Sequence, residues 1–340
     1  MTGIPVSLLD NIRISNGPDE LRNYFSDLLH TERSRLLDLL NDRHLRFYTL
    51  YLLKSSIYAS HLQENLIPMY KWALAISDKM SEMDTVKVPG GRQANRTAKV
   101  RKILRSDTEV ISAALKWIVE SGWDPDIPEG RYELLMERCT ALLLTDFKDR
   151  SALPVIADVI FDRHRRGMLI HNLVWAFCEA RDPGSLYLLA QRLSSANGAD
   201  IRLAKKLLGF IPGIDISDVS ARSASYYKAI RWLSENRPYI YFTGETMQMT
   251  GSPIICEVSL EAKYLNRPVS ADSGKLLTPL SDHEAKLLSD FRRLTLTQRQ
   301  QMADFSSMLN SRDMYQWASW IRLPVSDQLA AASHMTGGLV

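Results

Sequence analysis

Residues 149–162 read DRSALPVIADVIFD, and residues 182–195 read DPGSLYLLAQRLSS. The second stretch starts 33 residues after the first. Asp149 aligns with Asp182, Leu153 with Leu186, and Ile156 with Leu189. Each opens as a loop and continues as an apolar helix. Companion helices recur beside them: LLMERCTALLL at 134–144, MLIHNLVWAFC at 168–178 and DIRLAKKLLGFI at 200–211. Leu169, Ile170, Leu173, Val174 and Phe177 make one apolar stripe, and Ile201, Ala204, Leu207, Leu208 and Ile211 make another.

A helix pair of this size cannot bury its own apolar face, so it must stack on a neighbour. Repetition at about 30–35 residues is the signature of an α-solenoid. The pairs resemble HEAT-type repeats. The resemblance is carried by ALPVIADVIFD and SLYLLAQRL as first helices and by IRLAKKLLGFI as a second helix. Arg202 stands where that pattern has an arginine, and Leu207-Leu208-Gly209 replaces its Ala-Leu-Gly. The likeness covers residues 105–212, and 20–85 loosely. It implies a scaffold or adaptor rather than an enzyme, although a fold alone does not give a function.

Upstream, Pro18-Asp19-Glu20 predicts a helix start followed by Leu21, Tyr24, Phe25, Leu28 and Leu29. Thr31-Glu32 opens a second helix. A third runs through residues 44–62, with Phe47, Leu50, Tyr51, Ile57 and Tyr58 on its buried side. A fourth covers 66–83, with a kink expected at Pro68. Val88-Pro89-Gly90-Gly91 breaks the pattern, and periodicity returns from Asp107. Downstream of Pro212-Gly213, a helix covers 220–236. Strands at Tyr239–Thr243 and around Ile254, Cys256 and Val258 read as a β-hairpin. After a loop at 266–282, helices are expected at 283–294, 297–309 and 312–322, and 330–340 reads as a loose tail.

The expected fold is therefore mostly α: an α-solenoid of HEAT-like helix pairs with a small C-terminal α+β module containing a β-hairpin. Its parts are a helical block at 1–88, a basic connecting segment at 89–105, the repeats at 106–236 and the C-terminal module at 237–340. Cys139, Cys178 and Cys256 are scattered and odd in number, which argues against a disulfide framework and for a reducing compartment. With no basic leader and no long apolar run, the expected location is the cytoplasm, without membrane contact.

No GxGxxG, P-loop, GxSxG, HExxH or EF-hand pattern occurs in the chain. No cofactor or metal is expected. His164 and His171 are separated by Gly167, which predicts a helix break between them. Asp282, His283 and Glu284 are adjacent on a helix, so they point apart and read as helix-start residues. An enzymatic reading would place a site where the solenoid meets the hairpin, with Glu245, Asp282 or His283.

One segment concentrates charge. Arg92, Arg96, Lys99, Arg101, Lys102 and Arg105 lie in a stretch with no acid, in a chain whose net charge is +3. Read as a solvated linker or an amphipathic helix, they simply face water. Read as a phosphate hand, six contacts would give a log–log salt slope of roughly −4 to −5. That reading needs more cations on one face, for which Lys205, Lys206, Arg163, Arg165 and Arg166 are the candidates. Tyr315, Trp317 and Trp320 are the candidates for a protein interface if they face solvent. The sequence thus points to a non-enzymatic scaffold or adaptor with a protein or assembly as partner, and nucleic acid as the alternative.

Overall fold

A computed structural model describes residues 6–85, 108–120, 130–247 and 249–336. The protein is mostly helical, with a two-stranded antiparallel sheet. It forms two compact units, Met1–Ala180 and Arg181–Val340. The boundary falls within the 106–236 stretch.

The first unit contains α1 (Leu8–Asn16), α2 (Pro18–Thr31), α3 (Arg33–Leu40), α4 (Phe47–Ala59), α5 (Pro68–Thr85), α6 (Thr108–Glu120), α7 (Arg131–Thr145), α8 (Leu153–Arg165) and α9 (His171–Glu179). Helix α1 was not anticipated, yet Ser7 caps it by accepting from the Asp10 N–H at 3.1 Å. The expected kink at Pro68 is absent because Pro68 begins α5, where its missing N–H would be unpaired anyway. Phe47, Leu50, Leu53 and Ile57 of α4 are buried, as the periodicity predicts, while Tyr51 and Tyr58 are only half-buried. Tyr70 of α5 stacks on Trp117 of α6, with centroids 4.2 Å apart and planes 12° from parallel. The Trp117 Nε1–H donates to the Leu45 carbonyl at 2.9 Å, and the Tyr70 hydroxyl donates to the Asp42 carbonyl at 2.6 Å. These rings belong to the core because each polar edge reaches a backbone carbonyl.

The two aligned stretches open in the same way. The Asp149 carboxylate accepts from the Ser151 N–H at 3.0 Å, and the Asp182 carboxylate accepts from the Gly184 N–H at 2.8 Å. Leu153, Ile156, Leu186 and Leu189 are all buried. The lengths differ: α8 runs for 13 residues, whereas α10 (Ser185–Gln191) lasts 7 before a 3-10 turn. Gly167 adopts φ +72° and separates α8 from α9, so His164 and His171 lie on different helices as expected. The stripe assigned to 168–178 needs one correction. Leu169 precedes α9 and is 71% exposed, because the chain is still turning there.

The second unit contains α10, α11 (Gly198–Leu207), α12 (Val219–Asn236), β1 (Ile240–Phe242), β2 (Cys256–Val258), α13 (Leu260–Tyr264), α14 (Asp282–Arg292), α15 (Leu296–Arg312), α16 (Met314–Trp320) and α17 (Val325–Thr336). The strands pair with Ile240 opposite Val258 and Tyr241 opposite Glu257. The Tyr241 hydroxyl donates to Glu257 across the pair at 2.5 Å. Tyr241 also lies against Gly274, where a Cβ would meet its ring atoms at 2.9–3.1 Å. Gly274 has φ +66°, so both sterics and backbone require glycine there.

The expected loose tail is a correction, since residues up to Thr336 form α17. Gln328 of this helix is buried and polar, and its amide is satisfied on every side. It accepts from the Tyr264 hydroxyl at 2.7 Å and donates to the Ile321 and Leu323 carbonyls at 3.1 and 2.8 Å. The core beneath it gathers Tyr264, Leu288, Phe291, Met302 and Trp320.

Burial pushes the Tyr70 and Tyr264 phenols up to about 12. The free side chain ionises near about 10. Between these values the folded protein keeps protons that the unfolded chain has released. Stability is therefore full below about pH 10 and is lost as pH rises through about 12. Urea unfolding at stepped pH should show this decline. A profile flat from pH 9 to 12 would contradict it.

Candidate interaction surface

Helices α11 and α12 carry the surface that stands out chemically. In α11, Arg202, Lys205 and Lys206 recur at helical spacing and are exposed, while Ile201, Ala204 and Leu207 face the core. In α12, Lys228 and Arg231 are exposed, Tyr227 is 70% exposed, and Trp232 is half-buried. Ala229 and Leu233 form the buried side of the same helix.

Several contacts tie the loop after α11 to α12. Phe210, just past α11, meets Trp232 edge to face at 5.8 Å. The intervening loop is pinned by Ser225, whose hydroxyl donates to the Asp215 carbonyl and accepts from the Asp215 N–H, each at 2.7 Å. The Lys228 side chain lies over Gly213, and a Cβ at that position would strike its ammonium. Gly213 has φ +68°, which glycine alone adopts without strain.

The charges on this face are left over. Arg202, Lys206, Lys228 and Arg231 form no ion pair with any described residue. Two acids lie close in the chain, Glu235 one turn beyond Arg231 and Asp215 in the loop between the helices. Hydrogen bonds from the Ser217 N–H and hydroxyl hold the Asp215 carboxyl below the usual range, with Lys205 adding to the effect. Asp218 is occupied as the cap of α12, accepting from the Ala221 N–H at 2.8 Å. Three other surface arginines are matched: Arg22 with Asp19 at 2.7 Å, Arg292 with Glu261 at 2.7 Å, and Arg293 with Asp290 at 3.3 Å.

The residues anticipated from sequence fall in different places. Arg92, Arg96, Lys99, Arg101, Lys102 and Arg105 lie outside the described residues. Lys205 and Lys206 are exposed, as a phosphate-facing role needs. Arg163 is not available for one: it is buried in α8 and paired with Glu133 of α7. Arg165 and Arg166 both pair with Asp162, at 3.2 and 2.7 Å.

Of the aromatic candidates, Tyr315 is 82% exposed. Trp320 instead belongs to the core: it is buried, and its Nε1–H donates to the Gln328 carbonyl at 3.3 Å. Trp317 is half-buried and donates to the Ser306 hydroxyl at 2.8 Å. Both indoles face inward because each finds a hydrogen-bond partner there.

Glu245 accepts from the Ile254 N–H at 2.8 Å and closes the hairpin loop. Asp282 and His283 are exposed at the start of α14, where Ser281 and Glu284 form a reciprocal capping box. Glu284 also pairs with Arg267 at 2.9 Å. Among the described residues, no group of three His, Cys, Asp or Glu side chains could hold a metal, and no helix is long and apolar enough to cross a membrane. Burial pushes the Cys139 and Cys178 thiols up, the latter to about 12.

Sequence reasoning overlooked Tyr227, Lys228 and Arg231. The signal was present as SYYKAIRW at 225–232, where aromatics and cations interleave on one helix. Comparison of the chain with family models, curated proteins and solved structures finds no match.

Proposed function

We propose that this protein is a non-enzymatic helical scaffold that binds another macromolecule through the exposed face of α11 and α12. The observation that carries this reading is a set of exposed cations without carboxylate partners, two of which, Lys228 and Arg231, share α12 with Tyr227 and Trp232. Charge that the fold does not neutralise is available to a partner. An exposed tyrosine supplies a rigid contact surface at low entropic cost.

The solenoid reading supports the same function. Asp149 and Asp182 open their helices with equivalent turns, as stacked repeats would. Stacked helix pairs of this kind create extended concave surfaces that serve for binding. The cytoplasmic location expected from the thiols is part of this proposal.

Charge reversal tests it. Lys205→Glu with Lys206→Glu should reduce partner recovery from native extract by more than ten-fold while costing no more than about 2 kcal/mol of stability, because both side chains are exposed and lose only their favourable place in the last turn of α11. Unchanged recovery would contradict the assignment of this face.

A further inference from the structure

The partner's chemistry can be narrowed, resting on the reading of α11 and α12 as the binding face. We propose that this face binds single-stranded nucleic acid. Phosphates lie against Arg202, Lys205, Lys206, Lys228 and Arg231, and a base stacks on Tyr227.

Charge alone would suit any polyanion. Arg202 and Lys206 are four residues apart, so they stand about 6 Å apart along the α11 axis. Lys228 of α12 reaches over Gly213, in the loop that follows α11. Arg231 follows Lys228 by three residues on the same helix face. Two acids adjoin these cations: Asp215, whose carboxylate already accepts from the Ser217 N–H at 3.0 Å and hydroxyl at 3.1 Å, and Glu235, one turn beyond Arg231.

Rings decide between the polyanions. Tyr227 is 70% exposed, and Arg231 follows one turn later on its side of the helix. Trp232 is half-buried against Phe210 and stiffens the platform. Cations interleaved with exposed aromatic rings are the pattern of sequence-tolerant single-strand binding, in which each base offers a face to stack. A duplex hides those faces between its stacked pairs.

The test is fluorescence anisotropy of the full chain with a labelled oligodeoxythymidylate of about 20 nucleotides. A duplex of the same length and polyglutamate serve as competitors. Five phosphate contacts predict a log–log salt slope of about −3.5, so affinity should drop about 100-fold between 50 and 200 mM salt. Tyr227→Ala should weaken binding about ten-fold. Lys205→Glu with Lys206→Glu should weaken it at least as much. Lys286→Glu, an exposed charge on α14, should leave it unchanged.

Four results overturn the inference. The first is equal binding of duplex and single strand with no effect of Tyr227→Ala. The second is binding abolished by neutralising the cations of 92–105 but untouched by the α11 and α12 changes. The third is polyglutamate competing as well as nucleic acid, which leaves α11 and α12 as the binding face but makes the partner an acidic protein. The fourth is no binding of any polyanion at 50 mM salt, which removes the charge argument for the face as well.

Discussion

Replacing Asp10 with alanine should destabilise the first unit by about 3–5 kcal/mol, the loss expected when one member of a buried ion pair is removed. Asp10 and Arg13 both have fully buried side chains, with 3.7 Å between Asp10 Oδ1 and an Arg13 guanidinium nitrogen. Asp10 also accepts from the Ser7 hydroxyl at 2.5 Å, the Arg46 N–H at 3.0 Å and the Thr49 hydroxyl. Arg13 donates from Nε to the Thr49 hydroxyl at 2.7 Å and lies 5.1 Å over the Tyr48 ring. Alanine removes the acceptor for several donors at once and leaves the Arg13 charge buried without its carboxylate. Helix α1 would then lose the Asp10 part of its tether to α4, keeping the Arg13 contacts to Tyr48 and Thr49. Asp10→Asn keeps the shape and part of the hydrogen bonding, so its loss should be smaller. Urea unfolding of the two variants measures this. A change below about 1 kcal/mol for Asp10→Ala would show that the network contributes little.

In the second unit the largest effect is expected at Tyr264. Tyr264→Ala should cost about 3–5 kcal/mol, the range for removing a buried large aromatic. Its ring stacks on Phe291 with centroids 4.3 Å apart and planes 10° from parallel, and Trp320 meets it edge to face at 6.1 Å. The hydroxyl is a separate contribution. Tyr264→Phe keeps the stack and leaves the Gln328 oxygen without this donor, at a cost of about 1–3 kcal/mol. The difference between the two variants isolates the ring. If Tyr264→Phe proves as damaging as Tyr264→Ala, the hydrogen bond to α17, and not the stack, holds this core together.

Much of the helical layout was legible because apolar spacing alone determines it. The buried faces of α4, α6, α8 and α11 follow directly from residues three and four apart. The two strands announced themselves through Tyr239–Thr243 and the alternation at Cys256 and Val258. What was hidden depends on partners distant in sequence. Ala330-Ala331-Ala332 reads as a tail, and it becomes part of α17 because Gln328 meets Tyr264, 64 residues away. Trp320 looks equally suited to core or surface until Gln328 and Tyr264 surround it. Arg163 reads as a surface cation, but Glu133 on the neighbouring helix holds it inside.

The candidate surface was half legible. Lys205 and Lys206 are plain in the sequence, and so is SYYKAIRW. That the loop after α11 lies against α12 follows from Gly213 making room for Lys228 and from Phe210 meeting Trp232, which no local pattern encodes.

Site-directed photocross-linking would test the central claim most directly. A photoreactive phenylalanine would replace, one at a time, Tyr227 on α12, Tyr315 on α16 and Leu169 before α9, all strongly exposed. Irradiation in native extract should give partner adducts at 227, with little at 315 or 169. Adducts concentrated at 315 or 169, with none at 227, would contradict the account and move the binding surface elsewhere.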